Sequence, residues 1–409
     1  MRSDKLTKFP YQIGVGSIKI GARDRQYIKR VLDSGRLSYG PFLKRFETEF
    51  ARVHGVRFAV AVNSGTSALE IAVACLKEVH HWRDGDEVLC PAVTFVASSN
   101  VILQNNLRPV FVDVDAKTYN IDPAKIEAKI TARTRAIMPV HLFGQPAEMD
   151  KVMRIARKHK LRIIEDSCET MFAKFNGRSV GSFGDIACFS TYVAHILVTG
   201  VGGLVLTDSP QYAEILRSLA NHGRDSIYIS IDDDKGAGGK RLKEIVARRF
   251  RFVRRGYSYR ITELEGAIGC AQFERRASIL RTRRQNAAFF TKRLLRFSDL
   301  LQLPERKKGA DHVYMMYPIV VQKDAGFSKQ ELVNYLEELN IETRDMMPLI
   351  NQPLYEKLYG KLESKYPVAR WINRNGFYIG CHQFLTSKER SFIVSAFEHF
   401  FNSNGKAQI

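Results

Sequence analysis

Cysteine is scarce and scattered: six residues in 409, at positions 75, 90, 168, 188, 270 and 381, with no Cys-x-x-Cys pair. That spacing speaks against a zinc site, an iron–sulfur cluster and a disulfide framework, and suits reduced thiols in a cytosol. Long hydrophobic runs are missing too. The longest apolar stretch, Ile196 to Thr207, is broken by glycines and falls far short of the roughly 20 residues that cross a bilayer. The first residues, MRSDKLTKFPYQIG, carry charge with no apolar segment behind it, so no secretory signal is expected and a cytoplasmic enzyme is. Acids are in deficit, 43 against 63 Lys and Arg, which leaves a formal charge of +20 and points to anionic partners. The excess bunches in KRLKEIVARRFRFVRR, Lys240 to Arg255, with eight bases and one acid. A solvated helix face, a subunit contact, the edge of a nucleotide diphosphate site and an acidic membrane surface all suit such a run. Nucleic acid does not, because no recognition-helix, zinc-finger or RNA-binding aromatic signature accompanies the charge.

What is present is a large apolar complement, 45% of residues, enough for one big domain and a smaller one. Seven short runs, RFAVAV, DEVLCP, RPVFVDVD, RAIMPVHLFG, RIIEDS, DIACFS and GGLVLT, read as buried strands between about residues 57 and 207. Helical spacing fills the gaps, as in Met149, Val152, Met153, Ile155 and Ala156. The alternation predicts an α/β fold with a mostly parallel seven-stranded sheet covered on both faces. The segment Ile229 to Glu244 reads as an exposed loop, and Thr262 to Leu295 as a long helical stretch. From about Pro304 the composition changes. We therefore divide the chain into a large domain, residues 1–303, and a smaller C-terminal α+β domain, residues 304–409.

Three segments carry chemistry. VNSGTSALEIAVACL ends a strand in a hydroxyl-rich turn and opens a helix, placing the amides of Gly65, Thr66 and Ser67 where an anion is favoured; an ordinary helix cap is the plainer alternative. RIIEDSCE puts Asp166 at the C-terminal end of a buried strand, where open α/β sheets gather ligands. A carboxylate there can pair with the protonated ring nitrogen of a pyridine cofactor, or simply cap a helix. DIACFSTYVAHILVTGVGG sets Ser190 and His195 five residues apart before a glycine-rich exit, although a lone histidine after a strand is commonly structural.

Taken in order, these and further segments resemble one family. They include LDSGRLSYGPFLKRFETEFARVHG, NSGTSAL, GDEVLCPAVTFVASSN, PVFVDVDAKTYNID, PVHLFGQPAEMD, IIEDSCE, GSFGDIACFS, GVGGLVLT, GYSYRITELEGAIG, IETRDMMPLINQP and GFYIGCHQFLT. The chain is similar nearly end to end to the DegT/StrS-type nucleotide-sugar aminotransferases and dehydratases, which have the aspartate-aminotransferase-like fold type I. The resemblance implies pyridoxal 5'-phosphate or pyridoxamine 5'-phosphate as cofactor. It also implies that Gly65, Thr66 and Ser190 hold the phosphate, Phe95 stacks on the ring, Asp166 pairs with the ring nitrogen, and Glu169 lies beside the ring. It further implies a homodimer with shared active sites, in which the GYSYR segment reaches the partner's cofactor phosphate, with Ser258 where relatives carry Asn.

The largest departure is His195. Relatives that transfer amino groups carry a lysine there, which forms the Schiff base with the cofactor. A minority branch, the sugar 3-dehydratases, carries histidine; these use the amine form of the cofactor on a 4-keto sugar. That resemblance implies His195 as acid and base in the loss of the C3 hydroxyl from a nucleotide-linked 4-keto-6-deoxy sugar, with glutamate regenerating the amine, in surface-glycan biosynthesis. Val201 stands where an acid is usual, and Glu169 where the dehydratases carry Asp. Two other readings remain open: amino transfer to a keto sugar, and a non-catalytic protein that binds cofactor or sugar nucleotide. His222 and His382 fall in family-like segments and are further candidates for the substrate site, His222 equally for a loop residue bonded to backbone. No metal is expected.

Overall fold

In the computed structural model, residues 6–227 and 233–403 are described. The seven predicted strands form one sheet: β1 (Phe58–Val62), β2 (Glu87–Pro91), β3 (Arg108–Val112), β4 (Thr134–Ile137), β5 (Arg162–Asp166), β6 (Ile186–Ser190) and β7 (Gly203–Thr207). Their spatial order is β1-β7-β6-β5-β4-β2-β3, and β7 alone runs against the rest. Side chains alternate across each strand, so β2 sends Val88 and Cys90 into one core and Leu89 into another. The first core lies under the helix α1 (Gly65–Val79), the second under α2 (Met149–His159), and both faces of the sheet are dry.

A second sheet, ordered β8 (Leu301–Gln302), β9 (Met316–Val321), β11 (Gly376–Gly380) and β10 (Thr343–Asp345), is antiparallel and carries its own core. Phe9 and Ile13 from the N-terminal arm and Ala287, Phe290 and Leu294 from a long helix join that core. The predicted stretch from Thr262 to Leu295 is two helices, Glu263–Glu274 and Arg276–Leu294. The loop expected from Ile229 to Glu244 is corrected in part. Gly239–Arg248 is helical, because Leu242, Ile245 and Val246 recur at helical spacing and Ile245 is buried. The part of that expected loop at residues 229–232 lies outside the described residues. Within the basic run, Arg248 pairs with Asp225 at 2.8 Å and Arg254 with Glu78 at 3.1 Å, while Val246, Phe250 and Phe252 stay exposed.

One buried carboxylate fastens the early helices to the later ones. Helix Pro41–His54 begins at Gly40, which has no side chain to cap it. Glu263 does so from afar: its Oε1 accepts from the Phe42 amide at 2.6 Å, and Oε2 from those of Gly40 and Leu43 at 2.9 and 3.0 Å. A carboxylate at a helix N-terminus is also favoured by the helix dipole. Glu263→Gln replaces one acceptor by an NH₂ group that faces amide donors, so unfolding in urea should show a loss of about 2 kcal/mol. An unchanged midpoint would mean that these amides find other acceptors.

Candidate functional site

The C-terminal ends of β2, β5 and β6 and the start of α1 open on one cavity of about 1030 Å³. Seven of the residues singled out from the sequence line it: Gly65, Thr66, Phe95, Asp166, Glu169, Ser190 and His195. They are brought together because each follows a strand of the same sheet, on the side where parallel strands end.

At the α1 terminus, Ser64 is extended and its Oγ accepts from the Ser67 amide at 3.0 Å. Ser67 Oγ in turn donates to Asn63 Oδ1 at 2.7 Å. The amides of Gly65 and Thr66 precede the first helical acceptor and are left for a ligand. A Cβ at position 65 would stand 2.6 Å from Ser190 Cβ and 2.9 Å from Cys168 Sγ, so only glycine fits.

Asp166 is buried at the end of β5. Ser98 Oγ donates to its Oδ2 at 2.7 Å, and the Cys168 amide to its Oδ1 at 3.2 Å. Burial pushes its pKa up, against those donors. Glu169 is buried beside it and accepts from the Phe143 amide at 2.8 Å; Phe143 sits in the left-handed region, with φ 55°, which turns that amide inward. Burial, a little relieved by that amide and reinforced by Asp166, raises the Glu169 pKa to about 8. At neutral pH Glu169 is therefore mostly a protonated acid.

His195 is anchored by its own loop. Its amide donates to Tyr192 O at 2.9 Å, and its Nδ1 lies 3.2 Å from Ser190 O. A carbonyl can only accept, so Nδ1 carries the proton and Nε2 is the free acceptor. Burial lowers the imidazole to about 4, and the Arg283 guanidinium adds to the effect. The ring is thus neutral and basic at Nε2 around pH 7.

The opposite wall comes from residues that the sequence did not single out, although two of them, Glu342 and Arg344, lie in the family-like segment IETRDMMPLINQP. Val15 and Gly16 of the N-terminal arm, Met315 and Met316 entering β9, and Glu342 and Arg344 around β10 all line the cavity. Gly16 packs so closely that a Cβ there would meet Ala194 Cα at 2.8 Å. An alternation of small residues, IGVGS, is the one trace of that contact in the sequence.

Three candidates lie elsewhere. His382 is buried outside the lining: its Nε2 lies 3.1 Å from Gly14 O and its Nδ1 accepts from the Phe384 amide at 3.2 Å, so it ties the N-terminal arm to the small sheet. His222 accepts from Arg260 at 3.0 Å, and the same guanidinium donates to Ser258 Oγ at 3.0 Å. Ser258 and Arg260 line a second cavity of about 1020 Å³, with Tyr39 and Arg217. Within one chain neither His222 nor Ser258 borders the first cavity.

Known proteins resemble this chain over nearly its whole length. The chain is 33% identical to the lipopolysaccharide biosynthesis protein RfbH of Salmonella typhimurium over 98% of this chain and 96% of that protein. It is 32% identical to a GDP-perosamine synthase of Caulobacter vibrioides, over 95% of this chain and 98% of that one. Among solved structures, E. coli GDP-4-keto-6-deoxy-D-mannose-3-dehydratase with bound hydrated PLP superposes with a TM-score of 0.83 at 26% identity, covering 96% of this chain and all of that one. The family model of the DegT/DnrJ/EryC1/StrS aminotransferases matches residues 18–398, so the fold-type-I architecture expected from the sequence stands and the chain belongs to that family.

Proposed function

We propose that this protein removes the C3 hydroxyl from a nucleotide-linked 4-keto-6-deoxy sugar, using pyridoxal or pyridoxamine phosphate held in the first cavity. Glutamate restores the amine form, and the product feeds a surface glycan made in the cytoplasm. The observation that carries this reading is a neutral imidazole, His195, with a free Nε2 in a cavity otherwise suited to the cofactor. The fit is physical. The glycine cradle and open amides at Gly65 and Thr66, beside Ser190, suit a phosphate. Asp166, buried and disfavoured as a lone carboxylate, suits a protonated ring nitrogen. Phe95, on the cavity wall, suits a flat ring.

When bound, the cofactor supplies an amine that joins the sugar carbonyl and a ring that takes up electrons. The protein's part is proton movement. His195 Nε2 accepts a proton from carbon and, as an imidazolium disfavoured by burial, gives it readily to the departing hydroxyl. Nδ1 stays bonded to Ser190 O throughout, which keeps the ring oriented. An imidazole cannot hold the cofactor as a stable imine, so position 195 leaves the cofactor without a covalent tether. Phe95, Tyr192 and Val201 are each more than half exposed at the cavity lip, and we infer that a second copy of the chain covers them. The match to a GDP-perosamine synthase favours amino transfer as the second reading.

Three outcomes separate the readings when the protein is given pyridoxamine phosphate, glutamate and GDP-4-keto-6-deoxymannose. A deoxygenated keto sugar with release of ammonia is expected, and His195→Asn should slow its formation by about 100-fold or more. An amino sugar would favour transfer. No turnover, with binding unchanged by His195→Asn, would leave a binding protein.

The raised Glu169 carboxyl has a consequence for stability. Between its ordinary value and about 8 the folded, cofactor-free chain keeps a proton that the unfolded chain releases, so stability falls as pH rises toward 8. His54, His195 and His312, whose imidazoles are held low, act in the opposite sense, but below pH 6.5. Thermal melts from pH 6.5 to 8 should therefore show a falling midpoint, and Glu169→Gln should flatten it. An equal slope in both proteins would contradict the assignment.

A further inference from the structure

Arg283 is among the most buried large side chains of the protein, at 1% exposure, and among the described residues no carboxylate pairs with it. Its situation is unusual for a guanidinium in this fold. Arg217 has Glu47 at 2.9 Å and Arg275 has Asp24 at 2.7 Å. Arg283 has instead a ring of neutral acceptors. Nη1 donates to Met315 O at 2.7 Å and Tyr314 O at 3.3 Å, Nε to Gln383 Oε1 at 3.1 Å, and Nη2 to His195 O at 3.2 Å. Burial draws its pKa down to about 10, which still leaves it charged at neutral pH.

A buried charge without a counter-ion is expensive, and removing its hydrogen bonds would strand several carbonyls. The position explains what the arrangement achieves. The helix Arg276–Leu294 sends Ile279 and Leu280 into the large core and Ala287, Phe290 and Leu294 into the small one, so Arg283 sits at the seam. Its planar fork joins three separate segments there: the loop after β6 that ends in His195, the corner entering β9, and the turn after β11. The corner is itself constrained, since Tyr314 has φ 49° and the Met315 amide donates to Phe143 O. Phe143 is the residue whose amide holds Glu169.

We propose that Arg283 is the positioning residue for His195: its guanidinium pins the His195 carbonyl to the small-domain corner, and so keeps Nδ1 on Ser190 O and Nε2 turned to the cavity. Arg283 touches neither the cavity nor a reacting atom. It acts through the loop, and its charge also adds to burial in keeping the imidazole neutral. This inference rests on the catalytic reading of His195 for its effect on turnover, but not for its effect on the ring.

The test is nitrogen-15 NMR of the histidines in the cofactor-free protein, with the His195 signal assigned by its loss in His195→Asn, alongside steady-state kinetics of the reconstituted enzyme. Three variants are compared: Arg283→Lys, which keeps charge but not the fork, Arg283→Met, and Gln383→Leu, which keeps the arginine and removes one acceptor. In the wild type His195 should show a single tautomer with hydrogen on Nδ1. In Arg283→Lys and Arg283→Met that tautomer should give way to a mixture, with kcat reduced at least 10-fold and KM within about 3-fold of wild type. Gln383→Leu should move the ring in the same direction by less, and it decides the matter if neither arginine variant folds. The His54 signal, from an imidazole bonded to Phe50 O far along the chain, should stay in place in every folded variant. A wild-type tautomer in the folded variants, or in Gln383→Leu alone if it is the only one to fold, overturns the proposal. Should the tautomer mix while kcat holds, Arg283 still positions the ring and the catalytic reading of His195 is what fails.

Discussion

Inside the sheet, the Glu165 carboxylate accepts from the amides of Gly181, Phe183 and Gly184 at 2.7 to 2.8 Å, and His141 Nε2 lies 3.1 Å from it. No part of it reaches solvent. A buried carboxyl group is tolerated there because every lone-pair direction meets a donor. His141 Nδ1 accepts from the Ala147 amide at 3.0 Å, so the proton on Nε2 is directed at Glu165. This cage locks the end of β5 to the loop before β6 and to the turn after β4. Strand alternation then fixes the next residue, Asp166, on the opposite side, toward the cavity. The backbone of His141 closes the register by donating to Asp166 O at 2.9 Å. Were the cage loosened, Asp166, Glu169 and the His195 loop would all lose their common reference.

Electrostatics divides the molecule. The cavity wall holds Asp166, Glu169, Glu342 and Asp345, and among the described lining residues Arg344 is the one guanidinium or ammonium group. Arg344 is itself engaged with Glu342 and with Thr343 O. The formal charge of +20 therefore resides elsewhere, with eight of the cations in the run Lys240 to Arg255 on and after a helix that buries only Ile245. Burial favours a proton on Asp166, and burial with the neighbouring Asp166 favours one on Glu169, whereas burial and Arg283 keep protons off His195. One site thus holds a protonated acid and an unprotonated base at the same pH.

Much of this was legible in the sequence, for identifiable reasons. The seven strands announce themselves as short β-branched runs, and Asp166, Ser190 and His195 sit within or just after them, so contiguous motifs locate them. Gly65 carries a signal because only glycine survives its contact with Ser190. What the sequence hid was assembled across long separations. Val15 and Gly16 reach the cavity by folding back from the N-terminal arm, and Arg283 contacts His195 from 88 positions away. Periodicity cannot report such contacts. His382 lies outside the cavity lining for the same reason, since its ring bonds to Gly14 O of the arm, a contact that the local sequence does not report. The helix Gly239–Arg248 was masked by the glycines and acids that precede it, although Leu242, Ile245 and Val246 already carried its period.

The central claim is that His195 works as a proton carrier in a site where the cofactor has no covalent tether. Borohydride reduction of the protein loaded with pyridoxal phosphate, followed by intact mass measurement, tests it most directly. The account predicts a protein mass unchanged by reduction. A mass increased by one reduced cofactor, mapped to a single lysine anywhere in the chain, would contradict it and return the chain to the amino-transferring members of its family.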